Sequence, residues 1–406
     1  MALLVQKFGG TSVGSVERIE AVAEQIISSR QQGHQVVVVV SAMAGETNRL
    51  IELAQQVDTK PSSRELDVLI STGEQVTAAL LSMAIVRRGH SAISLLADQV
   101  GIETNNRFGK ARIKSVDHAR ILEEIEQGRV VIIAGFQGRD KEKNITTLGR
   151  GGTDTTAVAV AAAIKADECQ IYTDVDGVYT TDPRIEPNAR RMSRVTFDEM
   201  LELASLGAKV LQIRAVEYAG IHKVRLRVLS SFSPDEGTLI TYEEEKVDKP
   251  LVSGIAFNRD EAILTVTGIR ESASLASDIL SPIAEQGIEV DMIVQNIQRD
   301  GTVDFTFTVH RSDFDETNAL LSQLIEKIGA KSVQADNNVA KISVVGVGMK
   351  SHSGVAANMF SALAAEGIKT KLISTSEIKI SVVVEEKYLE LCVRALHSAF
   401  GLHENV

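Results

Sequence analysis

Two glycine-rich stretches carry residue types that bind phosphate. The first, KFGGTS, ends an apolar run with Lys7 and continues through Gly9 and Gly10 to the hydroxyl residues Thr11 and Ser12. Glycines let the backbone approach an anion closely and direct N–H groups at it. A helix that begins a few residues later would aim its positive end at the same place, and Lys7 would supply a mobile cation. The same letters also fit an ordinary turn between a strand and a helix.

The second stretch, TTLGRGGTDTTAVA, places Gly149, Gly151 and Gly152 before a helix of small residues and adds Arg150 and Asp154. Two glycine loops that feed two helices could flank one anionic substrate. Taken alone, Arg150 fits a solvated surface charge and Asp154 fits a helix cap. The presence of a second loop nevertheless favours the phosphate interpretation of the first.

Acidic residues mark two further candidate sites. The stretch YTDVDGVYTTDPR holds Asp174, Asp176 and Asp182 in a turn-rich segment, where aspartates either bind metal or simply form turns. In STGEQVTAALL, Glu74 directly precedes a helix, where a negative charge also interacts favourably with the helix dipole. Both patterns leave a structural and a functional interpretation open.

The elements that must position these residues alternate between strand and helix. The run QVVVVVSAM is almost continuously β-branched, which is typical of a strand buried on both faces. Apolar residues recur with helical spacing from Val16 to Ile26, and Gly33 is a helix C-terminal signal. This alternation predicts a mostly parallel sheet with helices on both sides.

The composition limits the partners. The chain has 406 residues, so two or three domains are expected. Its net charge of −11 and its lack of tryptophan argue against nucleic acid, which basic patches and aromatic platforms bind. The cysteines Cys169 and Cys392 lie far apart in the chain, which favours a reducing cytoplasm. We expect no signal peptide and no membrane span, because the apolar runs are short.

An internal repeat follows the charged segment TYEEEKVDKP, which is interpreted as a linker. Residues 268–296 align without gaps on residues 348–376, so that Gly287–Ile288 matches Gly367–Ile368. A strand and a second helix follow in each copy, so each copy is predicted to be a β-α-β-β-α module. The strand count indicates that LVSGIAFN completes the sheet of the second module, with the first module inserted.

Seven segments, in chain order, resemble aspartokinase, a member of the amino acid kinase family. They are VQKFGGTSV, VVVVSAM, STGEQVTAALL, AGFQG, TTLGRGGTDTTAVA, YTDVDGVYTTDPR and SLGAKVLQIRAVEYA. The C-terminal modules resemble paired ACT domains through VDMIVQN and LISTSEIKISVVV. The resemblance covers essentially the whole chain. It implies an α/β amino acid kinase fold, with a mostly parallel central sheet between helix layers, followed by two ferredoxin-like βαββαβ ACT modules of the α+β class.

The resemblance also implies the domain organisation. Residues 1–245 would form the catalytic amino acid kinase domain. Residues 250–262 would be a strand that completes the second ACT module, whose remainder would span residues 338–406. Residues 263–337 would form the first ACT module.

The implied enzyme transfers the γ-phosphoryl group of MgATP to the β-carboxylate of L-aspartate and forms 4-phospho-L-aspartate. This is the first step toward lysine, threonine and methionine. A carboxylate with a pKa of about 3.9 is ionised at neutral pH, so the reaction needs no general base. Positioning and charge neutralisation must dominate instead. Magnesium would travel on ATP oxygens and water, so we predict no protein ligand for the metal.

The resemblance assigns roles residue by residue. The catalytic group would be Lys7, Asp154 and Lys209. The phosphate-binding residues would be Gly9, Gly10, Thr11 and Ser12. The aspartate pocket would be lined by Ser41, Thr47, Glu74, Arg150 and Thr153. The nucleotide would be held by Thr173, Asp174, Tyr179, Asp182, Pro183 and Arg184. Within these sets, Asp154 would hold both lysines, Arg150 would pair with the α-carboxylate, and Glu74 would take the α-ammonium.

The implied regulation is feedback by lysine, threonine or both at the ACT modules. The family usually carries Asp-x-Pro-Gly in the loop after the first strand of the first module. Here that loop is RESAS, with Glu271 in the place of the aspartate. This departure puts the effector contacts in doubt, and these contacts are predicted at Glu271, Met292, Gln295 and Asn296.

ACT modules pair side by side in the resembling family. This predicts a homodimer, or a dimer of dimers, through residues 250–406. A separate regulatory subunit from an internal start is disfavoured, because no methionine lies between Met200 and Met292.

Two alternative functions remain open. One is another amino acid kinase, such as a glutamate 5-kinase or an acetylglutamate kinase, and GRGGTDTTA and the ACT repeat argue against it. The other is a catalytically silent amino-acid sensor on the same scaffold. The argument against the sensor is that the charged residues are intact at Lys7, Arg150, Asp154 and Lys209.

Overall fold

The structure, a computed structural model, describes residues 1–206, 210–242, 251–352 and 354–404. The chain divides into two compact units. The first unit comprises Met1–Tyr179, Arg191–Ser205 and Lys209–Val247. The second unit comprises Thr180–Arg190, Leu206–Ala208 and Asp248–Val406. Residues 180–190 therefore belong to the second unit, although they fall within the predicted catalytic domain.

The first unit is built on an eight-stranded sheet with the order β10-β12-β11-β9-β1-β2-β6-β3. Its strands are β1 (Leu3–Phe8), β2 (Gln35–Val40), β3 (Ala92–Leu95), β6 (Val130–Ala134), β9 (Glu168–Thr173), β10 (Arg194–Thr196), β11 (Leu226–Ser230) and β12 (Thr238–Thr241). All neighbours pair in parallel except β11 and β12. The predicted mostly parallel sheet is confirmed.

The helices of the first unit cover this sheet. They are α1 (Val16–Gln31), α2 (Glu46–Val57), α3 (Ser63–Ile70), α4 (Thr72–Arg87), α5 (Ala119–Glu126), α6 (Gly152–Ala163), α7 (Phe197–Ser205) and α8 (Ile213–His222). The valines of β2 from Val36 to Val40 are all buried, as expected for a strand covered on both faces. Ile19, Val22 and Ile26 of α1 share one core cluster with Leu81 and Ile85 of α4.

By length and composition alone, residues 63–87 are apolar enough to cross a membrane. They include α4, however, and Leu81 and Ile85 of α4 lie in the core of the first unit. Half of the most apolar window is buried in the protein. The stretch therefore has the burial of a core helix.

A second, four-stranded sheet in the first unit was not predicted from the sequence. It has the order β5-β4-β7-β8. Its strands are β4 (Ile102–Thr104), β5 (Ile113–Val116), β7 (Gln137–Arg139) and β8 (Ile145–Thr147). Strands of three or four residues carry too little alternation for a pattern to be recognised. This sheet matters because β8 leads directly into the second glycine loop.

The second unit contains a six-stranded sheet with the order β14-β15-β13-β16-β18-β17. Its elements are β13 (Gly254–Arg270), α9 (Leu275–Glu285), β14 (Val290–Ile297), β15 (Thr302–Val309), α10 (Phe314–Ile328), β16 (Ser332–Val345), α11 (Val355–Ala365), β17 (Leu372–Thr375), β18 (Lys379–Glu385) and α12 (Leu389–Ala399). The repeated β-α-β-β-α pattern predicted for each copy is present.

Two long strands, β13 and β16, run through the middle of this sheet. The first part of β13, Gly254–Asn258, pairs with Lys341–Val345 of β16, and the later part pairs with both β15 and Ser332–Asp336 of β16. The predicted boundaries at residues 262 and 337 fall inside these strands, so each long strand serves both modules. The inserted-module organisation itself stays a proposal.

Each module has its own hydrophobic core. One core contains Leu264, Ile279 and Phe305, and the other contains Ile342, Met359 and Leu396. A buried ion pair lies in the shared part of the sheet, where Lys341 Nζ is 2.6 Å from Glu261 Oε1 and both side chains are 4% exposed. Asp291 of β14 also contacts this lysine.

Candidate active site

The carboxyl ends of β1, β2 and β9 meet at one edge of the large sheet. Lys7 and Phe8 of β1 pair with β2 on one side and with β9 on the other. The loops that follow continue the contact, because Gly9 N donates to Tyr172 O at 3.2 Å and Ser41 N donates to Phe8 O at 3.1 Å. In a parallel sheet this edge is where ligands bind.

The first glycine loop forms a tight corner at this edge. Gly9 O accepts from the N–H group of Ser12 at 2.9 Å. A Cβ at Gly10 would lie 3.0 Å from the Ala42 carbonyl oxygen, so the loop packs directly on the chain that follows β2. Thr11 is exposed, whereas the Ser12 hydroxyl is buried and has no hydrogen-bond partner among the residues that the structure describes.

The helix after this loop begins where the sequence predicts. Helix α1 starts at Val16, and the Ser15 side chain caps it by accepting from Arg18 N at 3.3 Å. The N-terminus of a helix carries a partial positive charge, which favours an anion at this corner.

Lys7 and Asp154 connect the two glycine loops. Lys7 Nζ lies 2.6 Å from Asp154 Oδ1, and the side chains are 10% and 12% exposed. Asp154 lies in the first turn of α6, directly after the second loop. A Cβ at Gly9 would lie 3.4 Å from the same lysine nitrogen, so the lysine ammonium lies directly beside the loop. The two loops that the sequence paired as one anion site are thus close in space.

The second glycine loop has a backbone that favours glycine. Gly149 has φ 78° and Gly151 has φ 68°, both in the left-handed region. A Cβ at Gly151 would lie 2.1 Å from Gln212 Cγ, so no larger residue fits there. Gln212 Nε2 donates to Arg150 O at 3.1 Å and fixes the loop backbone. The Arg150 side chain is exposed and has no ion pair with any residue in the described ranges.

Glu74 is a buried acid that forms no ion pair with any described residue. It is 3% exposed and lies in the first turn of α4. Its Oε1 accepts from Ala42 N at 3.1 Å, but Oε2 is buried without a hydrogen-bond partner in the described part of the chain. Burial raises the pKa of Glu74 to about 7. A buried carboxylate with one free oxygen is suited to receive a positively charged group.

The remaining residues of the predicted aspartate pocket differ in exposure. Thr153 is buried in the first turn of α6, and its Cγ2 would lie 2.6 Å from a Cβ at Gly135. Ser41 is half-buried at the end of β2, and Thr47 is half-buried in α2. The backbone N–H of Ser41 donates to Phe8 O at the edge of the sheet. Thr153 lies in the first turn of α6, next to Asp154.

The predicted nucleotide residues fall into two groups. Thr173, Asp174 and Tyr179 belong to the first unit, where Thr173 Oγ1 donates to Asp174 Oδ1 at 3.1 Å. Asp182, Pro183 and Arg184 belong to the second unit, where Arg184 Nη2 lies 2.6 Å from Asp182 Oδ2. The Arg184 guanidinium lowers the pKa of Asp182.

One catalytic residue predicted from the sequence, Lys209, lies outside the described residues. The four predicted effector residues lie in the second unit. Glu271 is exposed, and Gln295 and Asn296 are exposed on the edge strand β14. Met292 is 6% exposed and packs in a cluster with Ile263 and Leu372, so its side chain fills the core.

Two residues near these loops were missed by the sequence reasoning. Gln212 precedes α8 and holds the Arg150 backbone. Asp67 of α3 is 1% exposed and accepts hydrogen bonds from Gly109 and Thr147. The only sequence signal for Asp67 was an acid inside the short apolar helix ELDVLI.

These features define a class. The resemblance to the amino acid kinase family implies a glycine loop after the first strand of a parallel sheet, paired through a lysine with a second loop before a helix, and the structure has this arrangement. The model of the amino acid kinase family matches residues 2–230, and the model of the ACT domain matches residues 342–400.

The chain belongs to the aspartate kinase family and is therefore a phosphotransferase. The aspartate kinase of Pseudomonas putida is 61% identical to it over 403 residues, which are 99% of this chain and 98% of the relative. Among solved structures, Escherichia coli aspartokinase III in complex with aspartate and ADP (R-state) has a TM-score of 0.81 at 26% identity, covering 98% of this chain and 99% of that one. The same enzyme with lysine and aspartate (T-state) has a TM-score of 0.77 at 26% identity and the same coverage.

Proposed function

We propose that the enzyme transfers the γ-phosphoryl group of ATP to the β-carboxylate of L-aspartate and forms 4-phospho-L-aspartate. The observation that carries this proposal is Glu74, a buried carboxylate whose Oε2 lacks a partner among the described residues. An amino acid with a free α-ammonium group would supply the missing cation. The solved relative that holds aspartate and ADP together supports the same pair of substrates.

The chemistry needs placement rather than a base. The β-carboxylate of aspartate is already ionised, so two anions must be brought together. Lys7 lies at the glycine corner and would neutralise the phosphate charge that develops in the transition state. Asp154 holds the Lys7 ammonium at 2.6 Å and keeps it at this corner. Lys209 is proposed as the second cation, on the strength of the resemblance alone.

The phosphates would lie at the first glycine loop. The N–H group of Gly10 and the hydroxyls of Thr11 and Ser12 are the proposed donors. Gly9, whose own N–H donates to Tyr172 O, would let the backbone approach the phosphates closely. The buried Ser12 hydroxyl supports this assignment, because it has no partner in the described part of the chain. Buried hydroxyls normally have a partner, so a phosphate oxygen would complete this one.

The amino-acid end of the substrate would be held by charge on both sides. Arg150 would pair with the α-carboxylate through its planar fork, and Glu74 would take the α-ammonium. Ser41, Thr47 and Thr153 would line the pocket between these groups. Since a dicarboxylic acid without the amino group leaves Glu74 without a cation, the pocket would reject it.

The nucleotide and its metal complete the proposal. The proposed contacts to the nucleotide are Thr173, Asp174, Tyr179, Asp182, Pro183 and Arg184. Magnesium would be carried on the phosphate oxygens and water, because this ion dehydrates reluctantly and usually binds with the nucleotide. When bound, it would neutralise part of the charge of the phosphates. The buried, unpaired cysteines Cys169 and Cys392 support a cytoplasmic location.

A hydroxamate assay with MgATP tests the reaction. We expect acyl phosphate to form with L-aspartate and not with L-glutamate, N-acetyl-L-glutamate or succinate. Turnover with either glutamate compound would instead identify another amino acid kinase. Binding of aspartate without turnover would identify a sensor.

We further propose that the enzyme serves lysine, threonine and methionine synthesis and is inhibited by lysine, threonine or both at the ACT modules. The match to the ACT domain model supports this, as does the solved relative that holds lysine. Inhibition requires that the effector bind a low-activity state better than the active state. The exposed residues Gln295 and Asn296 of β14 are the proposed contacts, with Glu271 in the neighbouring loop. Met292 would contribute through its backbone.

The second unit is also the proposed dimer contact. Strands β14 and β17 are the edges of its sheet, and unpaired edge strands attract partners. Ile293 and Ile373 are 47% and 45% exposed at equivalent positions of the repeat. A second copy that covers these edges would bury both isoleucines and produce a homodimer or a dimer of dimers.

Activity titrations on the full chain test the regulation. Lysine, threonine and their mixture should lower activity, and Gln295→Ala should weaken the response. Thr375 occupies the equivalent position of the second module. A comparison of the inhibition of Gln295→Ala and Thr375→Ala by each effector therefore separates the roles of the two modules. If no titration changes activity, the regulatory proposal is wrong.

A further inference from the structure

Asp67 is a buried carboxylate that has no role in the mechanism proposed above. It lies in α3 and is 1% exposed. Burying a carboxylate is costly unless hydrogen bonds satisfy it, so the partners of this side chain show which segments it holds together. Burial raises the pKa of Asp67, while its hydrogen-bond donors act in the opposite direction.

Three hydrogen bonds from two segments converge on this carboxylate. Oδ2 accepts from Gly109 N at 2.9 Å and from Thr147 N at 2.8 Å. Oδ1 accepts from Thr147 Oγ1 at 2.7 Å. One carboxylate oxygen thus joins the loop at Gly109 to the last residue of β8.

These two segments meet at the base of the second glycine loop. A Cβ at Gly149 would lie 2.9 Å from the Gly109 carbonyl oxygen, so the two backbones are in close contact. Thr147 ends β8 only three residues before Arg150. The position from which the Arg150 loop departs is therefore set by the carboxylate of Asp67.

The backbone of Asp67 is connected to the residue that precedes α4. The Asp67 carbonyl accepts from Ser71 N at 3.1 Å, and the Ser71 carbonyl accepts from Gln137 Nε2 at 2.9 Å. Helix α4 begins at the next residue and carries Glu74 in its first turn. Asp67 thus stands between the segment that carries Glu74 and the segment that carries Arg150.

We propose that Asp67 is a positioning residue that sets the distance between Arg150 and Glu74 and thereby the fit for the α-amino-acid end of the substrate. This inference rests on the proposed function. The α-carboxylate and α-ammonium groups of an amino acid sit on one carbon atom, so their separation cannot adapt to a displaced pocket. A small shift of β8 against α3 would weaken aspartate binding and leave the nucleotide end unaffected.

The test compares two substitutions at this position. Asp67→Ala leaves the N–H groups of Gly109 and Thr147 and one hydroxyl without an acceptor, and should raise the KM for aspartate at least tenfold. Asp67→Asn can still accept both N–H groups on Oδ1 while its amide donates to the Thr147 hydroxyl, and should stay within threefold of the wild type. The KM for ATP, and the Kd for ADP from calorimetry, should change less than twofold in both variants.

A matched pair on β8 provides the control. Thr147→Val removes the hydroxyl bonded to Asp67 and should raise the KM for aspartate about threefold. Thr146→Val removes the neighbouring buried hydroxyl, which lies 2.6 Å from Thr104 Oγ1, and should leave both KM values unchanged. This pair decides the question if Asp67→Ala does not fold.

Several results would overturn the inference. They are an equal change in both KM values, an Asp67→Asn variant no better than Asp67→Ala, and equal behaviour of the two valine variants. Each would mean that Asp67 only stabilises the fold. Wild-type activity on aspartate is measured in the same assay, so its absence would refute the proposed function rather than this inference.

Discussion

The first turns of α4 and α6 make an instructive pair. Each carries an acid as the third residue of its helix, Glu74 in α4 and Asp154 in α6. The two residues are 3% and 8% exposed. Asp154 has a lysine ammonium at 2.6 Å, whereas one oxygen of Glu74 has no partner among the described residues.

The difference separates a completed ion pair from an incomplete one. A buried charge is costly unless a counter-charge compensates it. Lys7 compensates Asp154 within the chain, so this acid already holds the lysine that is proposed to bind phosphate. Nothing in the described residues compensates Glu74, and burial raises its pKa to about 7. Under the proposed function, the phosphate corner is therefore assembled before the substrates bind, while the amino-acid corner would be completed by its ligand.

The largest expected effect comes from breaking the ion pair between Lys7 and Asp154. Lys7→Ala should lower kcat about 1,000-fold, because the variant loses a charge that stabilises the transferring phosphoryl group. It should also lower the melting temperature, since the buried Asp154 then loses the lysine ammonium that lies 2.6 Å from it. The measurement is steady-state kinetics with a thermal melt.

The double variant Lys7→Ala/Asp154→Asn sharpens this result. Removing the uncompensated charge should restore the melting temperature but not kcat. Near-normal turnover in Lys7→Ala would refute the catalytic assignment.

The second effect concerns the amino-acid corner. Arg150→Ala should raise the KM for aspartate about 100-fold, equivalent to about 2.7 kcal/mol, because the α-carboxylate loses a charge-assisted pair. The KM for ATP and the melting temperature should hardly change, since the Arg150 side chain is exposed. Arg150→Lys should be intermediate, because a lysine cannot make the two-pronged contact. Equal effects on both substrates would show that Arg150 is not the carboxylate clamp.

The dependence of the KM for aspartate on pH should reveal the titration of Glu74. Under the proposed function the substrate ammonium binds ionised Glu74. Burial raises the pKa of Glu74 in the free enzyme to about 7, so protons should compete with aspartate below that pH. The KM for aspartate should therefore rise roughly tenfold from pH 8 to pH 6, by the loss of the ionised form. The KM for ATP should not follow this trend.

Glu74→Gln is the matched variant for this profile. It should have a high KM for aspartate at every pH, without the rise below pH 7. A profile identical to that of the wild type would assign the titration to another group.

The smallest expected effect comes from Ser12. Ser12→Ala removes a buried hydroxyl that lacks a partner in the described residues, so the melting temperature should stay constant or rise. The KM for ATP should increase about threefold, by the loss of one hydrogen bond of about 0.7 kcal/mol. Ser343→Ala is the contrast, because Ser343 Oγ lies 2.7 Å from Ser381 Oγ. That variant should melt earlier with unchanged kinetics.

Much of this site could be predicted from local pattern. The β-branched run of β2, the helical spacing from Val16 to Ile26 and the two glycine loops have local signatures, and the structure reproduces them. The state of Glu74 could not be predicted, because the missing partner depends on what surrounds Oε2 in three dimensions. The role of Asp67 could not be predicted for a similar reason. Its partners Gly109 and Thr147 are 42 and 80 residues away, and the short strands around them have no distinctive period.

The shared strands β13 and β16 have a consequence for how the second unit comes apart. Repeated modules often open one at a time, because each is joined to its neighbour only by an interface. Here the unfolding of either module would require breaking backbone hydrogen bonds inside a strand that the other module also uses. Amide protons of Leu264 in one core and Ile342 in the other should therefore exchange with the same opening free energy, as a single cooperative unit.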